Sequence, residues 1–306
     1  MKVYCAGAAG FICSHVIDQL LLEGNEVFAL DNFTSGSWNN IPSRDNLIIM
    51  AGDIRDIDLV YRTMDMFKPD VILHAAINPI THPIDVKEDI DVNINGTVNL
   101  INAAKKYNVS RVIYLQTALV YGSHFQFDPF PLTQPLNPNS SYAITKAAAE
   151  SFIRHSGLDY ISFRIENHYG PRNLSGAAPV FFKLIKEGKY PKVTQDRRGF
   201  VFIKDTVPLI IKACNMIGAA GIYHVSAGRD NSIIEFYEEM CKILNVIPQY
   251  TLLDNPPTTL SVDDSKTREV FDWKPTHDLY EGLVQTIAWY EANGVEKTYT
   301  HLEKAV

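Results

Sequence analysis

Long apolar runs, clustered positive charge and paired cysteines are all missing from this 306-residue chain, and each absence closes off a class of protein. No stretch approaches eighteen uninterrupted apolar residues, so no membrane span is expected. Met1-Lys2 leads straight into an apolar, strand-like run without the charged, long apolar and small-residue regions of a secretory leader, and a cytoplasmic protein is expected. Lys and Arg number 28 against 35 Asp and Glu, a net charge of −7, which leaves too few cations to neutralise a phosphate backbone, so no nucleic-acid partner is expected. The four cysteines, Cys5, Cys13, Cys214 and Cys241, show no CxxC spacing and no histidine at metal-ligand distance along the chain. They are expected to be buried free thiols, with no metal site.

What is present is a core-forming composition, 46% hydrophobic and 21% charged, arranged as short β-rich runs alternating with helical patterns. Val3 to Ala6, Glu26 to Leu30, Leu47 to Met50, Val71 to His74, Val112 to Leu115 and Tyr160 to Phe163 are apolar runs rather than strict alternations, as in parallel strands covered on both faces. Phe11 to Leu22, Asp56 to Met66, Val86 to Tyr107 and Ser141 to His155 fall between them as helices. The order predicts an α/β fold, a Rossmann-type doubly wound parallel sheet with a smaller α/β substrate-binding lobe. The boundary is expected near residue 165, giving 1–165 and 166–306. A strand at Phe200 to Ile203, within a stretch near 200–225, is expected to return to the main sheet. Helices at Pro179 to Glu187, Ile233 to Leu244 and Leu279 to Asn293 belong to the second lobe.

Gly7-Ala8-Ala9-Gly10 follows the first strand and opens a helix, where glycine permits a tight turn and lets backbone N–H groups, including those of Phe11 and Ile12, approach a pyrophosphate. Asp31, followed by Asn32, closes the second strand about twenty residues on. A carboxylate there accepts from a ribose and repels a 2′-phosphate, which favours NAD over NADP; the alternative is a simple turn carboxylate. Asp53-Ile54 after the third strand is placed to bracket the adenine, and a helix N-cap explains that aspartate equally well.

Tyr142 and Lys146 stand four apart on a helix, so they share a face and the ammonium can approach the phenol. Of the fifteen tyrosines only this one has lysine at that spacing. The pair follows the glycine turn, the acidic strand end and the strand ending Leu115-Gln116-Thr117-Ala118-Leu119-Val120-Tyr121-Gly122.

That ordered set resembles the extended short-chain dehydrogenase/reductase family, specifically its NAD-dependent nucleotide-sugar epimerases and dehydratases. The resemblance runs over almost the whole chain. It includes His74-Ala75-Ala76, Asn93-Ile94-Asn95-Gly96-Thr97, Arg164 to Arg172, Arg198 to Asp205, and Asp264-Ser265-Lys266 before Trp273-Lys274-Pro275. The Gln116 to Gly122 stretch and the ending Tyr299-Thr300-His301-Leu302 look similar to epimerases of bacterial O-antigen clusters.

The resemblance implies that Gly7, Gly10, Phe11, Ile12, Asp31, Asn32, Asp53, Ile54, Ala75 and Ala76, with Tyr142 and Lys146, hold NAD. It implies that Thr117, Tyr142 and Lys146 are catalytic, with the Tyr142 phenolate, stabilised by Lys146 and the nicotinamide, taking the proton of a sugar 4-hydroxyl that Thr117 orients. Thr117, Asn167, Arg172 and Arg198 would contact the nucleotide-diphosphate sugar, most simply a UDP-sugar, with Lys204 nearby. A homodimer through Val86 to Tyr107 and Ser141 to His155 is implied as well.

Three departures matter. Where the family's 4,6-dehydratases carry an Asp-Glu pair after the catalytic threonine, and decarboxylases a glutamate, this chain has Ala118 and Leu119, which favours 4-epimerisation through a 4-keto intermediate. The family's third glycine is Cys13. No second diphosphate arginine lies in Pro257 to Val262. Dehydration or decarboxylation by another acid or base, and a non-catalytic NAD-binding sensor or scaffold, remain the alternatives. His168, His82 and His124 are further candidates for the sugar site, and Arg197 and Arg198 also read as a solvated surface pair.

Overall fold

The computed structural model describes residues 1–78, 85–122, 128–216 and 218–298; His82, His124 and the Tyr299 to Leu302 ending lie outside the described residues. The first part of the chain runs β1 (Lys2–Ala6), α1 (Phe11–Leu22), β2 (Glu26–Asp31), β3 (Leu47–Ala51), α2 (Ile57–Phe67), β4 (Val71–His74), α3 (Val86–Asp89), a π-helical turn (Ile90–Gly96), α4 (Thr97–Lys106), β5 (Arg111–Thr117), α5 (Ser141–Arg154) and β6 (Tyr160–Ile165). It continues with β7 (Asn167–Tyr169), α6 (Ala177–Lys186), β8 (Lys192–Val193), β9 (Arg197–Phe202), α7 (Ile203–Asn215), β10 (Gly221–Val225), β11 (Asp230–Ser232), α8 (Ile233–Ile243), β12 (Thr251–Leu252), β13 (Thr259–Leu260), α9 (Ser265–Phe271) and α10 (Leu279–Asn293).

Seven parallel strands form the main sheet in the order β10-β6-β5-β4-β1-β2-β3. Strand order reverses between β1 and β4, so their carboxyl ends, paired Ala6 to His74, diverge into a crevice where such sheets bind ligands. The inner strands read as unbroken apolar runs because both faces are covered, whereas the edge strand β3 is half-exposed. On one face Val3, Cys5, Val27, Leu73, Ile113 and Phe163 pack with α1 and α7. On the other Tyr4, Phe28, Leu30, Ile72 and Tyr114 pack with α2, α4 and α5. A Rossmann-type α/β fold is the result.

Two expectations need correction. The helix expected over Val86 to Tyr107 is interrupted by the π-helical turn, where Thr97 donates to the Asn93 carbonyl at 2.6 Å and the turn fits Gly96 against Ile54. Periodicity alone cannot show one extra residue per turn. The strand at Phe200 to Ile203 does not return to the main sheet. β9 joins a separate small sheet with β11, β13 and β7, and the strand that returns is β10, on the outside of β6.

Candidate active site

A cleft of about 1150 Å³ opens over the carboxyl ends of the main sheet and runs beneath the small sheet and α6, large enough for a dinucleotide and a second ligand. At its floor Gly7 has φ +77°, and a Cβ there would stand 2.5 Å from the Ala76 nitrogen and 2.7 Å from the Ala75 carbonyl carbon. Only glycine lets β1 and β4 end so close together. α1 then starts at Gly10 with no side-chain cap, so the first-turn N–H groups at Phe11 and Ile12 keep their donor capacity where both residues line the cleft. Cys13, in place of a third glycine, is buried and packs into the same floor.

Asp31 is buried at the end of β2, accepting from the Ala9 N–H at 2.8 Å and the Phe33 N–H at 2.7 Å. Burial pushes its carboxyl up, and the two N–H groups hold that rise in check. Asn32 donates to Asp53 at 2.8 Å, and Arg55 clamps the same carboxylate from the other side. Burial would raise Asp53, but the Arg55 guanidinium outweighs it and holds the group below its usual range. Asp53 is not the cap of α2; Asp56 is, accepting from the Leu59 N–H. Ile54 completes this wall.

An uncapped helix start for a pyrophosphate, a glycine floor and a buried carboxylate for ribose hydroxyls together fit a dinucleotide such as NAD.

At the centre of the cleft Thr117 closes β5. Its Oγ1 accepts the Leu119 N–H at 3.2 Å, which leaves the hydroxyl proton for another acceptor. Tyr142, half-buried in the first turn of α5, shares this wall. Lys146 lies fully buried one turn on. Lys146 Nζ donates to the Leu115 carbonyl at 2.6 Å. Without NAD, burial pushes the Tyr142 phenol up, with Asp89 adding to the rise. Burial lowers Lys146 to about 7, and Glu150 opposes that fall.

Two residues that the sequence analysis quoted without giving them a role hold this group. Gln116 donates to the Lys146 carbonyl at 2.8 Å and accepts from the Thr117 N–H at 2.9 Å, tying strand to helix. Asn93, in the π-helical turn, donates to Thr145 at 3.0 Å and accepts from the Asn78 N–H at 2.9 Å. Nothing in their spacing marks them, since partners thirty or fifty residues away become visible only in the fold.

On the second-lobe side Asn167, Arg172 and Arg198 all line the cleft. Arg172 has a left-handed backbone, φ +67°, and pairs with Asp18 of α1 at 2.8 Å. Arg198 donates to the Thr258 carbonyl and hydroxyl at 2.7 and 2.9 Å and stands 3.3 Å from Asp196. Lys204 is not part of the site: its ammonium donates to Gln285 at 2.6 Å on the exposed side of α7. Arg197 points the other way, to Asp230 and Glu235. His168 has partners at both ring nitrogens, the Glu166 carbonyl at 3.0 Å and Thr206 at 2.5 Å, and burial lowers it to about 4, as suits a structural histidine.

The parallel sheet, the dinucleotide crevice and the Thr-Tyr-Lys group define a short-chain dehydrogenase/reductase type of enzyme. The family profile described as NAD dependent epimerase/dehydratase matches residues 3–226, and the chain belongs to that family, with NAD as its cofactor. It is 30% identical to a UDP-glucose 4-epimerase of Mycolicibacterium smegmatis, covering 95% of this chain and 98% of that one. To a dTDP-D-glucose 4,6-dehydratase of Mus musculus it is 28% identical, covering 95% and 89%. The crystal structure of the Bordetella bronchiseptica enzyme WbmH in complex with NAD+ superposes with a TM-score of 0.90 at 37% identity, covering 96% of this chain and 99% of that one.

Proposed function

We propose that this enzyme inverts C4 of a nucleotide-diphosphate sugar, a UDP-sugar in the first instance, through a 4-keto intermediate with no net redox change. The observation that carries this is the wall beyond Thr117. Ala118 is buried and Leu119 lines the cleft, so the chain places no carboxyl next to the catalytic threonine to expel a hydroxyl or take a second proton. The similarity to a UDP-glucose 4-epimerase supports it; the dehydratase relative sets the competing outcome.

In this mechanism Thr117 donates to the sugar 4-oxygen and orients it, and the Tyr142 phenolate takes the 4-hydroxyl proton. When bound, NAD supplies the hydride acceptor and a positive ring beside the phenol. Bringing a phenol from its ordinary value near 10 to neutrality needs about 4 kcal/mol of preferential phenolate stabilisation. Burial in the protein works against this, so the charge of Lys146 and the local cation must supply more than that. Asn167, Arg172 and Arg198 hold the diphosphate, arginine being suited to it by its planar donor fork. Rotation of the 4-keto sugar before hydride return gives the epimer.

A homodimer fits the exposed apolar side chains Val86, Ile90, Ile144 and Phe152 on α3, the π-helical turn and α5, which a second copy would cover.

The deciding experiment incubates the NAD-loaded protein with a panel of UDP-sugars in D₂O and follows the products by NMR. An inverted C4 without deuterium at that carbon is the expected result. A 6-deoxy-4-keto product or released CO₂ overturns epimerisation in favour of dehydration or decarboxylation.

A further inference from the structure

Glu166 is the single residue between β6 and β7, where the chain leaves the parallel sheet for the small one. It is 4% exposed. Its Oε1 accepts the Val262 N–H at 2.8 Å, while Oε2 is buried without a hydrogen-bond partner. A Cβ at position 199 would lie 1.7 Å from Oε2, so the carboxyl fills the space a side chain at 199 would need, and Gly199 is what admits it. Gly199 follows Arg198 in β9, and β13, which leads to Val262, pairs with β9 at Leu260 and Arg198. The Glu166 carboxyl therefore packs against β9, which carries Arg198, and the run that follows β13, and the residue lines the same cleft as Arg198.

Its surroundings favour an uncharged acid. Asp264, on the segment before α9, is buried with Oδ2 unpartnered, and the Arg268 guanidinium takes its Oδ1 at 2.8 Å, leaving no cation for Glu166 among the described residues. The Ser226 hydroxyl and Ala227 N–H approach from the segment after β10, and β9 contributes Gly199, which carries no charge. Burial pushes the carboxyl up to about 8, Asp264 adds to the rise, and the Val262, Ser226 and Ala227 donors reduce it.

We propose that Glu166 is a positioning residue for nucleotide binding: as a neutral acid it braces β9 and the Thr258 to Val262 run behind Arg198. As an anion it would set an unpaired charge beside Asp264 and oppose an incoming diphosphate. The inference rests on the proposal that the second lobe takes a nucleotide diphosphate.

Glu166→Gln keeps the size and the Oε1 acceptor and is neutral at every pH; Glu166→Met serves if the Gln variant does not fold. The ligand-free test is Tm against pH. A carboxyl whose folded value, about 8, exceeds the ordinary 4.5 binds more protons folded than unfolded in that window. Wild type should therefore lose stability relative to E166Q from about pH 4.5 to 8, then level off. The second test measures UDP affinity of the NAD-loaded proteins by calorimetry. Wild type should weaken at least about fivefold more than E166Q between pH 7 and 9.5, and UDP binding should take up a proton near pH 8 in wild type alone. Parallel Tm curves overturn the titration. Diverging Tm curves with parallel UDP affinities overturn the positioning role. Failure of both proteins to bind UDP at pH 7, with Tm curves that diverge, overturns the nucleotide-diphosphate function and this role with it.

Discussion

Lys146 Nζ stands 3.9 Å from the centre of the Tyr114 ring and donates to the Leu115 carbonyl, so a fully buried ammonium meets a ring face and a main-chain oxygen, with no carboxylate paired to it among the described residues. Such a cation is held at a cost in stability.

Lys146→Met should lower turnover by about 10²–10³-fold and raise Tm at pH 7. With its folded value near 7 against an ordinary 10.5, the native state binds fewer protons than the unfolded chain between those values. Wild-type stability should therefore climb with pH across that window. The gain from K146M is largest at or below pH 7 and shrinks toward pH 10; scanning fluorimetry over pH 6.5 to 10 checks the sign.

Tyr142→Phe removes only the hydroxyl that takes the proton. Turnover should fall by at least about 10³-fold with Tm little changed at pH 7, where the phenol, raised above its ordinary value by burial, is neutral in the folded and the unfolded chain alike. Thr117→Val should cost about 10- to 100-fold, the loss of one orienting hydrogen bond to the reacting oxygen. Initial rates with the active UDP-sugar measure both.

At the cleft floor, Gly7→Ala places a methyl 2.5 Å from the Ala76 nitrogen at a left-handed backbone position. The combined overlap and strain should cost about 2–4 kcal/mol and strip NAD from the purified protein. The absorbance of NAD released on denaturation reads this out directly.

Glu150 and Arg164 form a buried ion pair at 2.5 Å, with side chains 2% and 4% exposed, one turn beyond Lys146 on α5. Removing either charge alone, as in Glu150→Gln or Arg164→Met, should destabilise the fold by about 3–5 kcal/mol. The double variant should lose much less than the sum, a coupling that urea denaturation of the four proteins measures.

Ile144→Asp with Phe152→Asp puts two charges on the exposed face of α5 without touching Tyr142 or Lys146. If that face joins two copies, the variant should run as a monomer by light scattering where wild type runs as a dimer.

The alternation of apolar runs and helical periods in the sequence was enough to place β1 to β6 within a few residues, because parallel strands buried on both faces leave an unmistakable pattern. The turn at Gly7, the helix start at Gly10 and the strand end at Asp31 were legible for a related reason: they answer to local backbone geometry. The protonation of the Tyr142 and Lys146 pair was not, since it depends on burial and on the Leu115 carbonyl, thirty-one residues distant. Lys204 illustrates the same limit, being near Arg198 in sequence and on the wrong side of α7 in space. Nor could spacing show that β9 would leave the main sheet, because a short apolar run such as Phe200 to Ile203 fits either sheet.

The return of β10 to the edge of β6 has a consequence for anyone recombining this enzyme with its relatives. A single crossover after β6 would exchange the second part of the chain with its small sheet and also replace the outermost strand of the parallel sheet, presenting β6 to a foreign partner. α7, which precedes β10 and packs on α1, would be exchanged with it. A chimera meant to change only the sugar would need that junction after β6 and two more, one on each side of the α7–β10 unit, so that these elements stay with the sheet they close.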